Sequence, residues 1–172
     1  ATNVIAVDSA SYTLDFQETG ASSPLLSAEF NLTEDQKHLL ILTEREQQFD
    51  YLSLSFAREK NLEDEFDLYL SNLAVSQPAL DVYLSAATET FADADLLDSL
   101  ALHELSSDAS RKATGKYNLY LTVPGGNQPL FVAENLDFAY ESTYVLVIRE
   151  QYGPIANQLA IDVILNSSSV AR

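Results

Sequence analysis

The 172-residue chain contains no cysteine, which excludes thiolate metal ligands, cysteine nucleophiles and disulfide staples together. That absence fits the cytoplasm and an oxidising compartment equally well, so it does not locate the protein. Basic side chains are also scarce. Nine Lys and Arg stand against 26 Asp and Glu, for a net charge of −17 and a pI near 4.1. Nucleic acid and anionic membrane surfaces repel so acidic a chain, and neither is expected as a partner. The acidity is shared by both halves, as on a solvated surface, rather than gathered in a tail. No apolar run approaches the roughly 20 residues of a membrane span, so direct membrane insertion is not expected. Histidine is limited to His38 and His103, too few for most triads or zinc centres without further partners nearby.

What the chain does have is a repeat. Ser11–Glu44 returns as Lys116–Glu150: Tyr12 falls on Tyr117, Leu14 on Leu119, Gly20 on Gly125, Pro24 on Pro129, Ala28 on Ala133 and Glu29 on Glu134. The offset is constant at 105 until one inserted residue, placed before the next strand, moves it to 106. Leu40 then meets Leu146 and Glu44 meets Glu150, and Leu159–Leu165 is matched to Tyr51–Phe56 at an offset of 108. So many matches at one spacing indicate a duplicated β unit.

In chain order, Asn3–Asp8 is a short β-branched run ending in a turn. Tyr12, Leu14 and Phe16 alternate with polar residues, the period of a half-buried strand. Leu25–Leu32 forms a second strand after a Gly/Ser turn and Pro24, and His38–Thr43 reads as a strand buried on both faces. Phe49–Phe56 alternates again, giving four or five antiparallel strands in the first copy. Charged Arg58–Glu65 marks the boundary, so the domains are expected at residues 1–60 and 66–172. Beyond it, Phe66–Leu73 and Ala79–Leu84 are strands. Phe91–Glu104 carries both helical and alternating spacing, and Asp108–Lys112 reads as a turn. Pro124-Gly125-Gly126-Asn127 is a hairpin-type turn signal, followed by strands Tyr144–Glu150 and Leu159–Leu165.

The run Pro78-Ala79-Leu80-Asp81-Val82-Tyr83-Leu84, the element Gly115-Lys116-Tyr117-Asn118-Leu119 and the pair Pro129-Leu130 resemble the signature segments of the DUF4397 family. The resemblance covers residues 66–150 and, through the repeat, extends partially to residues 11–56. It departs in the opening strand, where Tyr69-Leu70-Ser71-Asn72 stands in place of a basic residue and a His-Ala-Ser run. It implies an all-β, immunoglobulin-like antiparallel β-sandwich, one complete unit preceded by a partial repeat. It further implies a bacterial envelope or secreted protein of undefined biochemical activity. It also favours a loop and strand, not a helix, within Phe91–Glu104.

The residues that carry chemistry give no site. His38 falls on Tyr144 in the repeat, a strand position that accepts an aromatic ring, and His103 has no partner at ligand spacing. Asp93, Asp95 and Asp98 lack the glycine and terminal glutamate of a calcium loop, and Glu63-Asp64-Glu65-Asp67 is dense without a turn to converge it. Gly125-Gly126 lacks the spacing and following helix of a phosphate loop. No catalytic, cofactor-binding or metal-binding residue is therefore assigned, and no enzyme activity or cofactor is expected. The nine tyrosines are expected mainly to pack, with an exposed sugar- or protein-binding face as the other reading.

The leading expectation is a non-catalytic structural or interaction module of the bacterial cell envelope, with a protein or glycan partner. The alternative is a carbohydrate-binding module using strand tyrosines and acidic loops; a carboxylate-pair hydrolase is a third reading. Residue 1 is Ala, read as a trimmed start, so any signal peptide or lipid anchor would lie upstream. The expected location in the cell envelope or outside the cell, periplasmic or extracellular, is what the resemblance implies. Because the first copy holds fewer strands than the second, its apolar strands need cover. Packing of the two units on each other is expected, with a homodimer through a strand edge as the runner-up.

Overall fold

A computed structural model describes residues 7–45, 47–57, 63–139, 142–151, 153 and 157–167. The chain divides into two compact units, Ala1–Glu59 and Lys60–Arg172. Of the expected run Asn3–Asp8, only Val7 and Asp8 lie among the described residues, and neither is in a strand.

The described residues of the first unit form two hairpins. Strand β1 (Ala10–Phe16) pairs antiparallel with β2 (Leu26–Leu32), and β3 (Gln36–Arg45) with β4 (Gln48–Ala57). Alternation in β1 puts Tyr12, Leu14 and Phe16 opposite Phe30, Ala28 and Leu26 on one face. The other face is polar, where Ser27 donates to Asp15 at 2.6 Å. The Phe30 and Tyr51 rings meet edge to face at 5.0 Å and join one hairpin to the other.

The second unit is all-β, with its sheets in a sandwich-like arrangement. Its strands are β5 (Glu65–Asn72), β6 (Ala79–Ala86), β7 (Asp95–Ala101), β8 (Glu104–Leu105), β9 (Ser110–Ala113), β10 (Gly115–Thr122), β11 (Phe131–Phe138), β12 (Ser142–Glu150) and β13 (Leu159–Ser167). One sheet runs β11-β10-β6-β7; the other runs β13-β12-β5-β8, with β9 also on β5. Phe66, Leu68 and Leu70 of β5 and Tyr144, Leu146 and Ile148 of β12 face one way. They share a core with Leu80, Val82 and Leu84 of β6 and Leu119 and Leu121 of β10. Phe66 is fully buried at its centre, stacked on Phe138 at 4.5 Å and edge-on to Tyr117 and Tyr144. Burying a side chain of this size contributes about 1.5–3 kcal/mol.

Several expectations need correction. The sandwich is not wholly antiparallel, because β5 and β12 run parallel from Phe66↔Ser142 to Asn72↔Ile148. Asp108–Lys112 is not simply a turn: Ser110–Ala113 forms β9 on the edge of β5, where its charged side chains can stay wet. Within Phe91–Glu104 the loop and strand that the resemblance favours are what is seen: Phe91–Asp93 is a single 3-10 turn whose Phe91 ring lies against Tyr83 and Tyr120, Asp95–Ala101 is β7, and a turn at Leu102 and His103 leads into β8. His38–Thr43 is not buried on both faces, since Leu39, Leu40 and Ile41 are half-buried and Leu42 is 40% exposed. The reason is that, among the described residues, β3 has one partner strand where β12 has two.

The paired registers can be set beside the repeat. Leu14↔Ala28, Asp15↔Ser27 and Phe16↔Leu26 reappear 105 residues on as Leu119↔Ala133, Tyr120↔Val132 and Leu121↔Phe131. The inserted residue lies within β11, not ahead of β12: a bulge between Tyr117 and Leu119 carries Asn135 at φ 57. Leu40↔Ser53 corresponds to Leu146↔Val163, so β4 and β13 match at an offset of 110, not 108. The longer connection after β12 absorbs the difference, and an even shift of two leaves the same face inward.

Tyr12 and Tyr117 occupy equivalent places. The Tyr12 hydroxyl donates to the Asp8 carbonyl at 2.9 Å and that of Tyr117 to the Ala113 carbonyl at 2.6 Å, each four residues back. Tyr117 is half-buried, so Tyr117→Ala is expected to cost about 2–3 kcal/mol, less than the about 3–5 kcal/mol of a fully buried ring. Tyr117→Phe, which removes only the hydrogen bond, should cost about 1 kcal/mol in urea unfolding.

Candidate functional site

The buried polar side chains of the second unit are fastened to loops and strand ends. Asp81 sits on the outward row of β6, next to inward Leu80 and Val82, and is nearly fully buried. Its Oδ1 accepts from the Ser99 hydroxyl at 2.6 Å and its Oδ2 from the Gly125 N–H at 2.7 Å. The carboxylate thus ties β7 and the β10–β11 connection to β6. In that connection the Gly126 N–H donates to the Val123 carbonyl at 2.8 Å across Pro124 and Gly125. With φ at +67, Gly125 takes the left-handed conformation that the third position of such a turn requires.

Asn72 and Asn118 act in the same manner. At the end of β5, the Asn72 amide donates to the Gln77 carbonyl at 3.1 Å and accepts from the Ala74 N–H at 3.1 Å. On β10, Asn118 donates to the Ala87 and Glu89 carbonyls and accepts from the bulged Asn135 N–H at 3.1 Å. Ser71 donates to the Glu104 carbonyl and the Ser106 hydroxyl accepts from the Leu70 N–H, so β8 is fixed to β5 through side chains as well as backbone. Buried polar groups of this kind stabilise only when paired, and these are.

His38 of β3 lies opposite Ser55 of β4, with the hydroxyl 2.7 Å from Nδ1. No sequence motif reveals Ser55, because hairpin register rather than spacing in the chain brings it to the ring. The His38 Nε2 is buried and has no hydrogen-bond partner, so no third group orients the ring as a base. His103 occupies the β7–β8 turn at φ 61, donates its N–H to the Asn72 carbonyl, and has its own unpartnered Nδ1. His38 belongs to the first unit and His103 to the second.

The acidic stretches do not converge either. Asp93 accepts from the Thr90 N–H and hydroxyl, Asp95 pairs with Lys112 at 3.1 Å, and Asp98 accepts from the Ser99 N–H. Asp67, buried on β5, faces Arg111 of β9 at 3.0 Å, with Glu65 3.8 Å from the same guanidinium. This hydrogen bond with Asp67 raises the Arg111 pKa above its ordinary value. The Arg149 guanidinium forks onto Asp162 and holds that carboxylate below the usual range. No group of three or more His, Cys, Asp or Glu suited to a metal ion occurs among the described residues. Of the tyrosines, Tyr140 and Tyr152 lie outside the described residues; Tyr69, Tyr120 and Tyr144 are buried, and Tyr12, Tyr51, Tyr83 and Tyr117 are half-buried.

Comparison with known proteins adds no family: no family model matches the chain, and no curated protein is significantly similar to it. Asp81→Ala is expected to cost about 2–4 kcal/mol in urea unfolding, since it leaves two donors without their acceptor. Hydrogen exchange at the Gly125 amide should rise with it, while that of Phe66 should not rise beyond the change in global stability.

Proposed function

We propose that the chain is a non-catalytic structural or interaction module of the bacterial cell envelope, taking a protein or glycan partner. The observation that carries the reading is how the buried polar groups are used. Asp81, Asn72 and Asn118 each bond the backbone of a loop or strand end, so they hold the fold's connections instead of gathering in a cleft. The finer architecture proposed is an immunoglobulin-like sandwich preceded by a partial repeat of the same unit. Support for the repeat comes from the shared registers and from Tyr12 and Tyr117, whose hydroxyls bond the same upstream carbonyl position. A strand-leading tyrosine bonded back to the chain is also a feature of immunoglobulin-like sandwiches. The envelope assignment follows the DUF4397 resemblance of Pro78–Leu84 and Gly115–Leu119.

Fractionation of the cells that make the natural protein, with antibody detection, tests the reading. Recovery from the envelope or the medium is expected, and recovery from the cytosol would overturn it. Glycan-array binding that fails on replacement of strand tyrosines would instead support the carbohydrate-binding alternative.

A further inference from the structure

We infer that the first unit is the later half of a β-sandwich whose earlier half is an upstream segment of the same polypeptide. That segment, built like Glu65–Ser106, sits on the open edges of β1 and β3. The inference rests on the duplication proposed above and not on the envelope assignment.

Equivalent inward positions differ sharply between the units. Leu14 is 43% exposed where Leu119 is 0%, and Leu42 is 40% exposed where Ile148 is 0%. The residue types are alike, so the difference comes from what lies beside them. In the second unit β6 takes the free edge of β10, antiparallel, and β5 takes that of β12, parallel. Among the described residues of the first unit, β1 pairs only with β2 and β3 only with β4. Open edges over apolar faces bind further strands.

Strand direction selects the occupant. The pair that completes the second unit is a single strand–loop–strand arch, one strand parallel to β12 and the next antiparallel to β10. A second copy related by a dyad sets β1 on β1 and β3 on β3, both antiparallel, or β1 on β3 twice with the same direction in both contacts. Neither gives β1 an antiparallel neighbour and β3 a parallel one together. An arch from one polypeptide makes both pairings.

Chain path places that arch upstream. In the second unit β5 to β9 precede β10, and the chain runs into β10 past Ala113, whose carbonyl receives the Tyr117 hydroxyl. In the first unit the chain runs into β1 past Asp8, whose carbonyl receives the Tyr12 hydroxyl. Asp8 and Ala113 are therefore equivalent points on the path, and the counterpart of β5–β8 belongs ahead of residue 8.

The test compares the 172-residue chain with a chain in which a copy of residues 63–113 is joined directly to Ser9, so that the copied Ala113 stands where Asp8 did. Hydrogen exchange follows the amides of β1 and β3, and sedimentation follows the association state. The extension is expected to leave the protein monomeric and to slow β1 and β3 exchange by about 100-fold or more, with β10 and β12 unchanged. An extension carrying Leu70→Asp and Val82→Asp should give no such gain. Unchanged exchange in the extended chain would overturn the inference. So would strong protection of β1 and β3 in the unextended chain: as a monomer it would fit the expectation that the two units pack on each other, and as a dimer it would make a second copy the occupant.

Discussion

Strand β5 closes the second unit through its parallel pairing with β12, and most of that unit depends on it. It carries Phe66, Leu68 and Leu70 into the core, gives β12 its second neighbour, and offers its far edge to β8 and β9. With β5 in place every residue from Ser142 to Ile148 is buried. In β3, which has only β4 beside it among the described residues, Leu39 to Ile41 are half-buried and Leu42 is exposed. The two strands have nearly the same apolar content. Burial here is therefore a property of the neighbour, not of the strand's own sequence.

Polar chemistry follows the same logic of support. In a sandwich the loops must be fixed to the sheets, and Asp81, Asn72 and Asn118 do this from buried positions on or at the ends of strands. The charges that surround them sit mostly on wet edges, as with Arg111 beside Glu65 and Arg149 beside Asp162. Exposed pairs such as these contribute little, about 0.2–1 kcal/mol each. Arg111, Lys112 and Arg149 each sit beside a carboxylate and so relieve part of the repulsion among the chain's many acidic groups.

Much of the all-β architecture is legible in the sequence because its signals are local: β1 and β4 fall within two residues of the alternating runs that mark them, and β2 within one residue of the run that follows the Gly/Ser turn and Pro24. The equivalence of Tyr12 and Tyr117 is legible for the same reason, as a match in local pattern. Pairing direction is not, since nothing in Phe66–Asn72 says whether its neighbour runs parallel. Strand β9 escapes a sequence reading because Ser110–Ala113 is short and charged, and only its seat on the β5 edge makes it a strand. The bulge at Asn135 is displaced in the repeat because matching residue types locates an insertion only to the nearest mismatch, whereas hydrogen bonding to Asn118 fixes it to one residue. In the sequence Asp81 stands only as part of a family-like motif. Its role depends on Ser99 and Gly125, which the fold brings to it.

The central claim is that β3, the proposed counterpart of β12, lacks among the described residues the second neighbour that makes β12 a core element. Native-state hydrogen exchange on the unmodified chain tests it directly, by comparing the β12 amides that bond β5 with the corresponding amides of β3. The β12 amides are predicted to exchange only with global unfolding of their unit, and those of β3 to exchange orders of magnitude faster. Equal, global protection in the two strands would contradict the claim.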